Sequence, residues 1–267
     1  MNIFLHEMKS YKKSVITWSI ALAFIVLLFM IMFPSFASAK DDMQKLLSSY
    51  PPALLQAMGA DSLFKMFTIT NFYSYTFVYV SLAGAVSSMN IGLSIISKEI
   101  SLKTADFLLT KPASRNKVIG SKICAGIASL AIINIVFIAV SILSANIVKT
   151  ESYDIKVFVM IASILFFLQL IFFTMGFIIG VIAPKIRSVI GTSLGISFAF
   201  FLLGMVLNMQ SSAEVLRYFV PFKYLDPQYI IENGAYDTKF LILGIAISAV
   251  FIAVSYIWYN RKDIDAV

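Results

Sequence analysis

The sequence predicts an all-α integral membrane protein with six transmembrane helices. Hydrophobic residues make up 60% of the chain and charged residues only 13%, about half the charged share of a soluble domain. In addition, six stretches contain no Asp, Glu, Lys or Arg. These stretches are continuously apolar, whereas the strands of a membrane β-barrel alternate apolar and polar residues. We therefore expect residues 1–267 to form one helical membrane domain.

Each uncharged stretch is long enough to cross a bilayer, because about 20 apolar residues in a helix span about 30 Å of hydrocarbon. The predicted spans are 14–33, 72–97, 123–147, 157–183, 189–207 and 240–258. The first span precedes Ala37-Ser38-Ala39, a pattern that also fits a cleavable signal peptide. Its apolar run exceeds the roughly 7–15 residues of a signal-peptide core, so a retained transmembrane helix is favoured.

The distribution of Lys and Arg predicts that both termini are cytoplasmic. These residues are concentrated in the N-terminal tail, the loop after span 2, the loop after span 4 and the C-terminal tail. Basic residues near span ends are retained in the cytoplasm, which places these four segments inside. The basic residues of these cytoplasmic segments then account for the formal net charge of +7. Basic clusters beside membrane spans also attract anionic lipid. A nucleic-acid partner is not needed to explain the charge.

Two segments on the predicted outer side, 34–71 and 208–239, are long enough to contain short helices of their own. In the first, Asp41 or Asp42 is a candidate N-cap for a helix that ends before Pro51. The second is rich in aromatic residues around Pro221 and Pro227. That composition is typical of a helix that lies at the membrane interface or dips into it.

The loop 98–122 after span 2 predicts a short amphipathic helix, a turn and a second helix. Glu99 and Lys103 have the i, i+4 spacing that stabilises a helix. Pro112 cannot continue that helix, and Ser114 is well placed to cap the next one, which leads into span 3. A soluble partner could dock on this loop; alternatively, the helix lies on the membrane surface with its lysines on lipid phosphates.

The loop carries a pattern made of Glu99, Thr104, Asp106-Phe107-Leu108-Leu109-Thr110, Lys111-Pro112, Ser114-Arg115 and Lys122. A second pattern, Pro221-Phe222-Lys223-Tyr224-Leu225-Asp226-Pro227, precedes the last span. With these patterns the chain resembles the permeases of ABC-2 type transporters. In that family the loop is a coupling helix that fits into a cleft on a separate ATP-binding subunit. The resemblance implies that ATP and Mg²⁺ bind that subunit, and that this chain needs no cofactor or metal.

The resemblance also implies roles for individual residues. The implied ATPase-coupling residues are Glu99, Thr104, Asp106, Phe107, Leu108, Leu109, Lys111, Pro112, Arg115 and Lys122. Phe107, Leu108 and Leu109 would be buried anchors. Charge pairing by four residues would set the register: Glu99, Asp106, Lys111 and Arg115. Spans 2 and 5 line the central path in this family, which implies that Ser87, Ser88, Asn90, Thr192 and Ser197 are substrate-path candidates. Alternatively, these polar groups bond across helices for packing.

Glycine pairs with the spacing G-x-x-x-G, at Gly176 and Gly180 and at Gly191 and Gly195, permit close helix approach in spans 4 and 5. We expect them to mark internal packing.

Other functional classes fit the sequence less well. The chain has no G-x-x-x-x-G-K-[ST] phosphate loop, one histidine, and no ionisable acid or base within the predicted spans. Enzymatic catalysis is therefore not expected. The sequence favours the permease subunit of an ATP-driven exporter in the plasma membrane, paired with an ATP-binding subunit and a second permease copy or paralogue. The alternatives are a gradient-driven secondary transporter and a membrane scaffold or sensor subunit that docks a cytoplasmic regulator.

Overall fold

The computed structural model describes residues 3–48, 67–101, 115–183, 186–208 and 214–261, and in these ranges the regular elements are helices without any strand. The long helices are α1 (Ile3–Ser48), α2 (Ile69–Ser101), α3 (Arg115–Val148), α4 (Ile155–Ile182), α5 (Val189–Asn208) and α8 (Thr238–Arg261). Between α5 and α8 lie α6 (Glu214–Arg217), a 3₁₀ turn (Pro221–Lys223) and α7 (Pro227–Asn233). The six long helices are apolar and long enough to cross a membrane.

The predicted fold class is confirmed. Each predicted span coincides with one long helix, and only the span 157–183 runs one residue past its helix, α4. α3 begins at Arg115, as expected from a helix that restarts after Pro112. The cytoplasmic orientation of the termini and the coupling helix stay predictions.

The expectation of a separate short helix starting at Asp41 or Asp42 is wrong. Both residues lie inside α1, which continues through Pro34 to Ser48. Proline removes one backbone hydrogen bond and disfavours a helix interior, yet helices in membrane proteins tolerate it. The apolar run on one side of Pro34 and the good helix formers on the other are sufficient to continue the helix.

Helices α2 and α4 form the centre of the bundle. Within its apolar window, 78% of α2 is buried, compared with 17% of α5. α1 packs mainly against α3, α8 against α4, and α5 against α2. The outer helices therefore leave large apolar faces for lipid or for other chains.

Glycines explain how α2 and α4 come so close together. A Cβ atom at Gly176 of α4 would lie 2.6 Å from the Met89 carbonyl oxygen of α2, and one at Gly92 would collide with the Phe173 carbonyl. Gly180 approaches the Leu93 backbone in the same way. The pair Gly176 and Gly180 thus marks internal packing, as expected.

The corresponding pair on α5 behaves differently. A Cβ at Gly195 would have no neighbour within 4 Å, and one at Gly191 would contact only Ser188 among the described residues. The expectation of internal packing at this pair is therefore wrong for the part of the chain that the structure describes.

The bundle has two distinct ends. At the proximal end, α1 and α3 begin and α2 and α8 finish. A hydrogen bond of 3.2 Å from the Arg115 side chain to the Asn260 carbonyl joins α3 to α8 at this end. At the distal end, α1 and α3 finish and α2 and α4 begin. An ion pair of 3.2 Å joins Lys40 to Glu151 at the distal end. The first residue of α1, Ile3, and the last of α8, Arg261, therefore lie toward the proximal end, which is also where the loop between α2 and α3 is attached.

Candidate functional site

A buried ion pair holds three helices together at the proximal end. The Lys122 ammonium of α3 lies 3.0 Å from the Glu7 carboxylate of α1 and donates a second hydrogen bond, of 2.9 Å, to the Ile95 carbonyl of α2. The Lys122 side chain is fully buried and that of Glu7 is 4% exposed. We call Glu7, Ile95 and Lys122 the proximal junction. It lies where the loop between α2 and α3 leaves one helix and enters the next.

Lys122 was predicted as a coupling residue, and in the structure its side chain points into the bundle, where it pairs with Glu7. Arg115, at the start of α3, lies near the surface and bonds to the end of α8. Glu99 belongs to the last turn of α2. The other predicted coupling residues lie outside the described part of the chain: Thr104, Asp106, Phe107, Leu108, Leu109, Lys111 and Pro112.

Among the substrate-path candidates, Ser87 belongs to a buried polar cluster that joins α2, α3 and α4. The Gln169 side-chain amide of α4 donates to the Ser87 hydroxyl at 3.1 Å and to the Gly84 carbonyl at 3.4 Å. Asn134 of α3 donates to the Gln169 side-chain oxygen and to the Leu130 carbonyl. These contacts agree with the packing alternative for Ser87. Sequence reasoning did not select Gln169 or Asn134, although uncharged amides within apolar spans are a usable signal.

The remaining candidates are dispersed. Ser88 is buried and donates to the Ala85 carbonyl of its own helix, while Asn90 is half-buried. On α5, Thr192 bonds to the Ser188 carbonyl, and the buried Ser197 hydroxyl has no hydrogen-bond partner in the described structure. The described residues show no hydrogen bond between any two of the five candidates, and the substrate path stays a prediction.

A cavity of about 360 Å³ lies nearer the distal end and contains none of these candidates in its lining. Its walls come from α2, α4, α5 and α8, and the segment Pro221–Gln228 covers it as a roof. The roof is the proline-bounded pattern before the last span, which the sequence had marked without assigning it a site. The walls combine four helices from different parts of the chain, so the periodicity of any one helix could not reveal the cavity.

Arg217 ties the roof to the start of α8. The Nε of Arg217 donates a hydrogen bond of 2.8 Å to the Lys223 carbonyl, and its Nη2 lies 3.1 Å from the Asp237 carboxylate. The guanidinium carbon lies 3.8 Å from the centre of the Phe240 ring, at the start of α8, a favourable cation–π geometry. Roof and α8 are therefore held as one unit.

The roof also contains a partly desolvated cation. Burial lowers the pKa of the Lys223 ammonium, and nearby Arg217 lowers it further, while the Asp226 carboxylate opposes both effects. Asp226 itself caps α7 by accepting a hydrogen bond of 2.9 Å from the Gln228 backbone N–H. No group of three or more His, Cys, Asp or Glu side chains suited to a metal occurs among the described residues.

Comparison with known proteins identifies the family. The family model described as ABC-2 family transporter protein matches residues 1–264. Comparison with curated proteins gives no match. The matched region includes all six long helices, the proximal junction and the cavity. The chain therefore belongs to the ABC-2 transporter family and is a multi-pass membrane protein of the permease type.

Proposed function

We propose that this protein is the permease subunit of an ATP-driven exporter, coupled to a separate ATP-binding subunit in the plasma membrane. The observation that carries the proposal is the family match over residues 1–264. Proteins of this family generally work with ATP-binding subunits, and this chain lacks a phosphate loop of its own. A second permease copy or paralogue completes the proposed assembly.

The charge distribution supports a cytoplasmic proximal end. Lys9, Lys12 and Lys13 are exposed on the first turns of α1, and Arg187 is exposed between α4 and α5. All four lie at the proximal end, where the positive-inside rule places the cytoplasm. The loop between α2 and α3 would then face a soluble ATPase.

The proximal junction suits mechanical coupling. Lys122 fastens the start of α3 to both α1 and α2, close to the two points where the loop is attached. A force on the loop is then transmitted to three packed helices rather than being absorbed by one helix end, because packed elements shift as units. In the proposed cycle, ATP-driven movement of the partner displaces the loop, and the junction passes that displacement to the central pair α2 and α4.

The first test is affinity purification of the tagged chain from its native membrane in mild detergent, followed by an ATPase assay. The proposal expects a stoichiometric ATP-binding subunit and ATP hydrolysis. Recovery of the chain with a regulator that has no ATPase activity would instead favour the scaffold alternative. A chain that is recovered alone but transports in response to an ion gradient would favour a secondary transporter.

The second test concerns the predicted anchors of the coupling loop. Phe107→Ala with Leu108→Ala should reduce capture of the ATPase at least tenfold, since two anchor residues each contribute about 1–2 kcal/mol to an interface. Leu216→Ala with Phe219→Ala is the matched control, because these apolar residues are exposed at the distal end. Equal capture by both double variants would refute the anchor assignment.

A further inference from the structure

The cavity near the distal end lies between α5 and α8. α5 packs mainly against α2, and α8 packs mainly against α4. Phe201 and Met205 of α5 line the cavity, and so do Leu241 and Ile245 of α8. A volume of about 360 Å³ therefore lies between the two helices, and the described side chains do not fill it.

The walls of the cavity suit a hydrocarbon group. Most of the lining is aliphatic or aromatic. An apolar cavity of about 150 Å³ stays dry and holds benzene, so the larger volume here has room for a chain of about 12 carbon atoms. Leaving the cavity empty would forfeit dispersion contacts along its walls. One hydrocarbon chain would restore these contacts.

The cavity opens to the surface of the membrane-spanning helices. Val78 of α2, Met205 of α5 and Ile245 of α8 line it and are 44%, 51% and 49% exposed. All three residues lie within the candidate spans, where the surroundings of the helices are apolar. A hydrocarbon chain of the bilayer can therefore enter from the side, without crossing an aqueous phase.

The polar groups of the cavity are already engaged within the protein. The described lining contains one charge of each sign, Lys223 and Asp226. The Asp226 carboxylate attracts the Lys223 ammonium and caps α7, and Lys223 interacts within the protein. Three other polar side chains of the lining donate hydrogen bonds to backbone carbonyls: Ser74, Ser81 and Tyr224. The lining therefore favours a ligand by its shape and apolar character, and not by its charge.

We propose that this cavity holds one hydrocarbon chain of a bilayer lipid, which fills the gap between α5 and α8 as a structural component of the bundle. The apolar window of α5 is only 17% buried, so the lipid chain adds to the packing of a weakly held helix. The head group stays at the membrane interface beside the roof, whatever its charge. The site follows from the geometry of the cavity and does not rest on the proposed function.

Photolabelling tests whether a lipid chain enters the cavity. The full-length chain is reconstituted in phosphatidylcholine nanodiscs that contain a small fraction of phosphatidylcholine with a diazirine in the middle of one acyl chain. Labelled residues are identified by mass spectrometry. Four lining residues are buried, so lipid on the outside of the bundle does not reach them: Leu168, Ile171, Tyr224 and Phe240. We expect labelling of these buried lining residues. Labelling confined to exposed residues would overturn the proposal.

Two glycine variants on α5 test the site itself. Gly204 lines the cavity, and a Cβ there would lie 3.5 Å from Val220 and 3.7 Å from Phe222. These are ordinary contact distances, so Gly204→Leu can fill space beneath the roof. Gly195→Leu is the matched control, because a Cβ at Gly195 has no neighbour within 4 Å and Gly195 does not line the cavity. Gly204→Leu should label the buried lining residues at least tenfold less than the control. Equal labelling of the two variants would refute the assignment.

A second pair of variants tests the site from α8. Ile245→Trp fills the cavity from a half-exposed lining position. Ile242→Trp is its control, because Ile242 is exposed on the same helix and does not line the cavity. Ile245→Trp should also reduce labelling of the buried lining residues at least tenfold, and unchanged labelling would count against the site. Size-exclusion profiles verify that each variant is folded.

The charge of the head group provides a separate test. Phosphatidylglycerol with the same photoreactive chain should label the buried lining residues to within about threefold of phosphatidylcholine, equivalent to about 0.7 kcal/mol. A tenfold preference for either lipid would contradict selection by shape.

Addition of the ATP-binding subunit and ATP distinguishes a structural lipid from cargo. A structural lipid chain should label the buried lining residues equally with and without ATP. ATP-dependent loss of labelling would identify the chain as cargo and overturn the structural role. A failure of ATPase capture would affect only the proposed function, because the photolabelling is measured on the permease chain alone.

Discussion

Replacement of Lys122 by methionine should strongly destabilise the protein. The change keeps most of the side-chain volume but removes the ammonium that binds Glu7 and the Ile95 carbonyl. Glu7 is 4% exposed, so water cannot replace the lost partner, and removing one member of a buried pair costs about 3–5 kcal/mol. A chain of this size should then lose on the order of 10 °C in Tm.

The double variant Glu7→Leu with Lys122→Met distinguishes the ion pair from simple packing. Replacing both charges by apolar groups leaves no buried charge uncompensated and is often close to neutral. The double variant should therefore recover most of the stability that Lys122→Met loses. Lys12→Met provides the control, because Lys12 is exposed on α1 and surface changes usually stay within about 0.5 kcal/mol.

Thermal unfolding of the purified variants measures these effects, with the monodisperse fraction after heating read by size exclusion. The expected order of Tm is wild type and Lys12→Met highest, the double variant next, and Lys122→Met lowest. If Lys122→Met unfolds at the wild-type temperature, or if the double variant is no more stable than Lys122→Met, the ion pair does not hold the proximal junction together.

Two further predictions concern the centre of the bundle. Gly176→Val should abolish the monodisperse peak in size exclusion, since a Cβ there would lie 2.6 Å from the Met89 carbonyl oxygen. Gly195→Val should retain the peak, because a Cβ at Gly195 has open space around it. Equal profiles for the two variants would contradict the close packing of α2 and α4. Gln169→Leu should cost about 1–3 kcal/mol by leaving buried polar partners unpaired, and adding Asn134→Leu should restore part of this stability. A further loss in the double variant would show that the cluster is not a coupled network.

The membrane spans could be predicted from the sequence because the signal is local. An uncharged apolar stretch of about 20 residues is sufficient evidence for a transmembrane helix, and helices α2 to α5 and α8 follow those stretches closely. The end of α1 was mispredicted because Pro34 and the two aspartates that follow it resemble a helix boundary. Local break signals are weaker than the tendency of a long helix to continue.

Pairings between distant residues could not be predicted in the same way. Glu7 and Lys122 are 115 positions apart, and Ser87 and Gln169 are 82 apart. Only the folded arrangement of helices decides which polar groups meet, so the sequence placed Lys122 at the end of the loop 98–122 without revealing its partner Glu7. The cavity could not be predicted for the same reason, since its walls combine four helices and its roof comes from a fifth segment.

The length of α1 has a consequence for how the particle looks at low resolution. Its 46 residues extend about 69 Å at about 1.5 Å per residue, more than twice the hydrocarbon thickness of about 30 Å. The part beyond Pro34 forms a rod of about 20 Å, fastened at Lys40 to Glu151. In electron micrographs of detergent-solubilised particles this rod should project beyond the hydrocarbon belt of the micelle. It offers image alignment a landmark that a small, fully embedded helical bundle would lack.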